Sequence, residues 1–292
     1  MNILITGGTG FIGHHLVAQY AGRYHVLAPR RSELDLLDTE AVRRYLDRHR
    51  FDVVLHAATE RSNRSLGANP GFLDRACRMF FNLARNQQAF GRLLFLSSGA
   101  VYDRAHWRPR MTEDYFDAHV PADDYGFAKY ICAKAIPGMN DSYDMRLFGV
   151  FGPQEEWRVR FVSNACCRAV WDMPIVVRQN VLFDYLDVED LGWILEAFFQ
   201  NRPRYRQYNV CTGRTFDLIT LAQMVREASG KKLEIVIKNA GLGREYSGDN
   251  ARLRQEIPDF QFREMKDSVG RLYQWYESNR NTIDPKLLDF DC

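Results

Sequence analysis

Residues 1–13 read MNILITGGTGFIG, and this stretch decides the fold. Asn2–Thr6 is a short apolar run suited to a buried strand, and an apolar-rich helix runs on from Phe11 to Tyr20. Between them come Gly7, Gly10 and Gly13. Gly7 permits a tight turn, Gly10 lets the backbone approach a pyrophosphate, and Gly13 lets the helix pack closely on the strand. The helix start, at Phe11 and Ile12, offers free N–H groups and a partial positive charge to phosphates. A glycine triplet alone is weak evidence, but here the strand before it and the helix after it are both in place. The expected ligand of this turn is a dinucleotide.

Strands and helices alternate through the first half. His25–Pro29 reads as the second strand, Thr39–His49 as a helix and Asp52–His56 as the third strand. Phe72–Phe90 reads as one long helix, Leu93–Leu96 as a strand, Asp124–Ala135 as a helix and Tyr143–Leu147 as a strand. Such alternation implies an α/β, doubly wound parallel sheet of the Rossmann class, covered on both faces. The second half is less regular. Helices are expected over Arg160–Trp171, Asp190–Phe199 and Leu218–Ser229, and strands near Leu182 and over Leu233–Ile237. Gly241–Asn250 is polar and reads as a loop. The expected division is a dinucleotide-binding domain over residues 1–150, rejoined by about 180–205. A smaller, mixed substrate-binding lobe would take 151–179 and 206–292.

Composition narrows the partners. The 292 residues are 46% hydrophobic and 26% charged, ordinary for a soluble globular chain. Net charge is +2 with no basic block, so no nucleic acid is expected. No apolar run is long enough to cross a membrane. The first strand starts at Asn2, so no cleavable signal is expected ahead of it, and the expected location is cytoplasmic. Cys77, Cys132, Cys166, Cys167, Cys211 and Cys292 lack paired metal spacing and read as reduced thiols. His14 and His15 are helical neighbours that point apart, so no metal site is expected.

The end of the second strand bears on which dinucleotide binds. A free ribose hydroxyl calls for Asp or Glu there, whereas this chain has Arg30 and Arg31. Guanidiniums bind a 2′-phosphate as planar donors, which favours NADP(H) over NAD(H); two solvated surface arginines are the bland alternative. Ala57, Ala58 and Thr59 close the third strand with small residues that let a cofactor lie against the backbone. Further on, Tyr125 and Lys129 stand four apart, on one face of a helix. The lysine charge lowers the phenol's pKa, so Tyr125 can pass a proton to or from a hydroxyl carbon, and Lys129 can hold a ribose. A serine pair, Ser97-Ser98, ends the preceding strand.

The three-and-three glycine spacing, the serine-ended strand and Tyr-x-x-x-Lys together resemble the extended short-chain dehydrogenases/reductases. The resemblance runs nearly the whole chain. RLFGVFGP (146–153), FDYLDVEDL (183–191) and YNVCTGRTFDLITLA (208–222) resemble the family's conserved later segments. In relatives the working hydroxyl lies four residues before the strand-end tyrosine, here Tyr102, which selects Ser98; Ser97 is then expected to bond backbone. ELDLLD (33–38) resembles dTDP-4-dehydrorhamnose reductase and GDP-L-fucose synthase, which implies that Asp35, followed by Leu36, reaches the adenine. Asp38 reads instead as a helix N-cap. The resemblance also implies a nucleotide-sugar substrate and a homodimer paired through the helix from Phe72 and the Tyr125–Lys129 helix.

Departures from the family shape the expected chemistry. Gly99 and Ala100 replace the acids of sugar dehydratases, and Ala100 and Gln154 replace the Cys and His that epimerise rings in GDP-L-fucose synthase. Gly149 replaces an Asn and Phe183 an Arg that often face the sugar nucleotide. Arg160, Arg178, Arg244 and Asn164 are the remaining candidates for diphosphate or sugar contact. Glu155 and Glu156 read as a loop turn, with substrate contact as the alternative, and Trp157 lies near the expected cleft. The leading expectation is an NADPH-dependent 4-ketoreductase acting through Ser98, Tyr125 and Lys129. The alternatives are an NAD-dependent nucleotide-sugar 4-epimerase and a catalytically silent cofactor-binding scaffold.

Overall fold

The computed structural model describes residues 1–60 and 69–288; Cys292 lies outside the described residues. The first half runs β1 (Asn2–Thr6), α1 (Phe11–Tyr20), β2 (His25–Leu27), α2 (Thr39–His49), β3 (Phe51–His56), α3 (Phe72–Ala84), β4 (Phe90–Ser98), α4 (Asp124–Ala135) and β5 (Ser142–Leu147). Then come β6 (Gly149–Phe151), α5 (Phe161–Val170), β7 (Ile175–Asn180), β8 (Leu182–Phe183), β9 (Tyr185–Asp187) and α6 (Val188–Ala197). The chain ends with β10 (Gln207–Val210), β11 (Phe216–Asp217), α7 (Leu218–Ser229), β12 (Ile235–Leu242), α8 (Ala251–Glu256) and α9 (Met265–Ser278).

The main sheet has the order β10-β5-β4-β3-β1-β2, with every pairing parallel. Its inner strands are apolar without alternation because both faces are covered. Ile3, Ile5, Val53 and Leu55 face α1 and α6. Leu4, Val54, Leu93 and Phe95 face α2, α3 and α4. From β1 the chain passes to β2 on one side and β3 on the other. The order therefore reverses between β1 and β3, and ligands bind outside the strand ends at such a point. The lobe packs α5, α7 and α9 with β7 around its own core. All ten residues of α5 are buried, Cys166 and Cys167 included.

Several expected bounds shift for local reasons. The helix from Phe72 stops at Ala84, where Asn86 donates its side chain to the Asn82 carbonyl (2.8 Å). Phe90 instead opens β4, paired with Phe51. That strand starts three residues ahead of Leu93 and ends at Ser98, where the serine pair was expected to close it. Asp187 accepts from Glu189 N (2.9 Å) and starts α6 two residues early. Arg160 and Trp171 cap α5 rather than belonging to it. β12 starts at Ile235 because Leu233 is taken into the lobe core. Asp38 caps α2 as expected, accepting from Glu40 N (3.0 Å) and Ala41 N (2.9 Å). The largest correction concerns residues 206–292, read from sequence as lobe. Gln207–Val210 returns to the main sheet and covers the edge of β5, burying Tyr208 and Val210 completely.

Two buried polar assemblies tie these parts together. Arg146 on β5 is 1% exposed and pairs with Asp144 (2.7 Å), and its guanidinium also donates to the Tyr102 hydroxyl (2.9 Å). Tyr102 in turn donates to Asn209 on β10 (2.6 Å). In the lobe, Ser163 donates to Glu155 (2.5 Å), whose carboxyl burial pushes up to about 7.

Each assembly makes a prediction. Arg146→Met leaves the Asp144 carboxylate buried without its cation, and urea unfolding should show a loss of about 3–5 kcal/mol. Wild-type stability would contradict that account. Glu155 holds its proton more tightly folded than unfolded, against an ordinary value of 4.5. Between about pH 4.5 and 7 the folded chain therefore keeps a proton that the unfolded chain releases, and stability falls as pH rises through that window. Glu155→Gln should remove this slope, so its stability relative to wild type should improve by roughly 2 kcal/mol between pH 5 and pH 8. An identical difference at both pH values would refute it.

Candidate active site

The glycine turn closes the end of β1. Gly7 has φ +75°, and a Cβ there would lie 2.7 Å from the Ala58 backbone, so β1 and β3 end in contact. Gly10 N donates to Gly7 O (2.9 Å). A Cβ on Gly13 would lie 2.1 Å from Gly7 O, so only glycine lets α1 start there. No side chain caps α1 and no acidic residue occupies its first turn. Its N–H groups and dipole are therefore open to an anion.

Ser98, Tyr125 and Lys129 converge on the same strand ends. Ser98 closes β4, and its Oγ accepts from Ala100 N (3.1 Å) in the following turn. The α4 helix packs hard against that turn, because Gly126 leaves no room for a Cβ beside Ala100 O (2.9 Å). Asp123 caps α4 through Gly126 N (3.2 Å). One turn apart on this helix, Tyr125 is half-buried beside Phe72 and Lys129 is buried. Lys129 Nζ donates to Leu96 O (2.8 Å) and lies 4.7 Å from the Phe95 ring centre. His56, at the end of β3, is held down to about 3 by burial and then by the Lys129 charge. It stays neutral against Thr6 (2.8 Å), leaving Lys129 as the cation on this floor.

A cleft of about 1020 Å³ joins the glycine turn, these three side chains and the lobe. It is lined by Gly10, Phe11, Ile12, Ala57, Thr59, Ser98, Tyr125, Lys129 and Arg160 from the expected set. Gly7, Gly13 and Ala58 build the turn beneath it. Arg30 and Arg31 follow β2 outside the cleft lining. Arg30 N donates to Glu33 (2.7 Å), and Arg31 lies 3.5 Å from Asp35, its side chain 69% exposed. Asp35 also accepts from Leu37 N (3.0 Å), and the Leu36 carbonyl accepts from Asn82 (2.8 Å).

Three of the four substrate candidates lie away from the cleft. Asn164 is buried, accepting from Arg168 (3.0 Å) and donating to Arg158 O (3.1 Å). Arg178 is exposed on β7. Arg244 donates to the carbonyls of Arg104 (2.9 Å) and Ala105. Other residues line the cleft without having been anticipated as contacts: Arg158, Trp275, Tyr276, Asn279 and Tyr246. Glu155, expected as part of a turn, is a buried carboxyl lining it. The departures at Gly149 and Phe183 have a shared cause. A Cβ at Gly149 would lie 2.7 Å from Asp184 O and 2.9 Å from the Tyr185 ring, which stacks on Phe183 (5.5 Å). The wall here is aromatic, with Phe183, Tyr185 and Tyr246 lining the cleft.

The residues present fit a bound dinucleotide. Ser97, expected to bond backbone, is buried, lines the cleft and has no hydrogen-bond partner among the described residues. A polar group in the cleft would satisfy it. Gly10 and the uncapped start of α1 would take the phosphates, and Lys129 a ribose. Among the described residues no group of three His, Cys, Asp or Glu side chains is arranged to hold a metal ion. His15 bonds Pro153 O (2.8 Å) instead. No helix among the described residues is long and apolar enough to cross a membrane.

Comparison with known proteins agrees with this architecture. The model of the NAD dependent epimerase/dehydratase family matches residues 3–211. UDP-arabinose 4-epimerase 1 of Arabidopsis thaliana is 25% identical, covering 96% of this chain and 80% of its own length. GDP-L-fucose synthase of Escherichia coli (strain K12) is 23% identical, covering 96% of this chain and 97% of its own. The structure of UDP-glucose 4-epimerase from Thermotoga maritima with UDP-glucose superposes with a TM-score of 0.83 at 20% identity, covering 96% of this chain and 100% of that one. With the glycine turn, the parallel sheet and the family match in agreement, the chain belongs to the NAD dependent epimerase/dehydratase family, within the extended short-chain dehydrogenases/reductases.

Proposed function

We propose that this chain is an NADPH-dependent reductase of a nucleotide-diphosphate 4-keto-6-deoxy sugar. The observation that carries the reading is the meeting of Ser98, Tyr125 and Lys129 in one cleft, while Gly99, Ala100 and Gln154 offer no acid or base. The nicotinamide, when bound, supplies the hydride. Ser98 and Tyr125 hold the substrate oxygen, and Tyr125 delivers the proton as negative charge develops there. Lys129, one turn further along α4 and lining the same cleft, would favour that transfer through its ammonium group. Arg158 and Arg160 on the cleft wall would meet the diphosphate. Arg30 and Arg31, which follow β2, would meet a 2′-phosphate as guanidinium donors and so favour NADPH over NADH. The pairing of two subunits through α3 and α4 is part of the same reading, on the family resemblance.

The likeness to a 4-epimerase across 96% of the chain favours a second reading, in which the same three residues serve a retained NAD. The nucleotide that co-purifies separates the two, since retained NAD(H) after denaturation supports the epimerase.

The direct test offers NADPH and a panel of dTDP-, GDP-, CDP- and UDP-linked 4-keto-6-deoxy sugars and follows cofactor oxidation. At least one should turn over, and Tyr125→Phe should slow it by about 10²–10⁴-fold. Silence across the whole panel rejects the reductase.

A further inference from the structure

The lobe end of the cleft is walled by the segment that follows α9. Asn279, Thr282 and Leu287 line it, beside Trp275 and Tyr276 of α9 itself. The Tyr276 hydroxyl is buried and has no hydrogen-bond partner among the described residues, and a polar group of a ligand would satisfy it. Leu287 is 38% exposed on this wall, while Ile283 and Leu288 are buried in the lobe core. One buried side chain fastens the segment. Arg168 on α5 is 5% exposed and donates to the Leu288 carbonyl, to Pro174 O (3.3 Å) and to Asn164 Oδ1 (3.0 Å). Asn164 carries the connection onward: its Nδ2 donates to Arg158 O (3.1 Å), and Arg158 lines the same cleft.

We propose that Arg168 is a positioning residue for the nucleoside diphosphate half of the substrate, fixing Leu287 and Arg158 at once as two parts of the wall that receives it. This rests on the nucleotide-sugar reading above. There the glycine turn and Lys129 take the dinucleotide, and Ser98 and Tyr125 take the reacting sugar carbon, so the lobe end is left for the rest of the substrate. A guanidinium carries five N–H donors in a rigid planar fork, so its three acceptors are held in fixed directions from one plane. Away from water each of these charge-assisted bonds is strong. The bond to Leu288 joins positions 120 residues apart and draws the end of the segment onto α5. Leu287 cannot move independently of it, because Leu287 N also donates to Asp284 O (3.0 Å) within the same turn. The bond to Asn164 orients that amide, whose other half then holds the Arg158 backbone.

Calorimetry with UDP, GDP, dTDP and CDP tests this without turnover. Wild type should bind at least one of them, and Arg168→Met should weaken that binding by about ten-fold while Kd for NADPH stays unchanged. In the keto-sugar assay the same variant should raise KM and keep kcat near wild type, and Arg168→Lys should recover only part of the loss. Two milder variants separate the branches. Asn164→Asp keeps an acceptor for Arg168 but loses the donor to Arg158 O, and Leu287→Ala trims the exposed wall; each should weaken nucleoside diphosphate binding several-fold. Wild-type affinity in both of these variants overturns the proposal, even where Arg168→Met fails to fold. So does an Arg168→Met protein that melts earlier yet binds as wild type, which makes the residue structural only. Amide hydrogen exchange over residues 282–288 should quicken in Arg168→Met, and unchanged exchange overturns the fastening. A wild type that binds none of the four nucleotides overturns the nucleotide-sugar reading instead, and the exchange result still decides whether Arg168 holds the segment.

Discussion

The structure depends on a contact that a single methyl group would abolish. Gly13 lies so close to the Gly7 carbonyl that any Cβ would overlap it, at 2.1 Å. This closeness sets where α1 begins, and the start of α1 sets where an anion can rest. Gly7 passes the constraint to β3 through Ala58, so the two strand ends that flank the switch point are held together. Tyr125 and Lys129 are aligned to that same edge by a second tight packing, Gly126 against Ala100 O. Both contacts are backbone against backbone, which makes the spacing between the glycine turn and Tyr125 insensitive to rotamer changes.

The other half of the site is held by hydrogen bonds rather than by close approach. Arg146, Tyr102 and Asn209 run from β5 through the turn after Ser98 to the sheet edge. Asn209 continues to Met111 O (2.8 Å) and Asp249 O (3.1 Å). The loop after Ser98 and the strap carrying Tyr246 are thereby fastened to the sheet. Buried polar networks of this kind specify one arrangement because every alternative leaves a member unsatisfied.

What could be read from the sequence follows the range of the interactions. The glycine turn, the Asp38 cap and the Tyr125–Lys129 pair are set by spacings of a few residues, and each is visible locally. The sheet class follows from alternation. The substrate side resisted reading because hydrogen-bonding capacity does not reveal its partner. Arg244 and Asn164 are chemically suited to a diphosphate or sugar, yet one is occupied by the Arg104 and Ala105 carbonyls and the other by Arg168. Tyr246 and Arg158 reach the cleft through folding that no short pattern encodes. The bridge between Phe183 and Tyr246 brings together residues far apart in the chain. α3 is shorter than the apolar spacing suggests because Phe90 continues that spacing yet belongs to β4.

The return of Gln207–Val210 to the sheet has a consequence for how the chain is made. The nucleotide-binding unit cannot complete its edge until the first lobe segment, α5 through β9, and then α6 have been synthesised. Before that, β5 presents an unpaired strand, a surface open to mispairing with other chains. Closing it requires a long loop to be bridged, a slow kind of step in folding. The two units are therefore obliged to mature together: the lobe emerges from the ribosome as an insertion in an unfinished sheet, and truncation ahead of residue 207 would leave neither part intact.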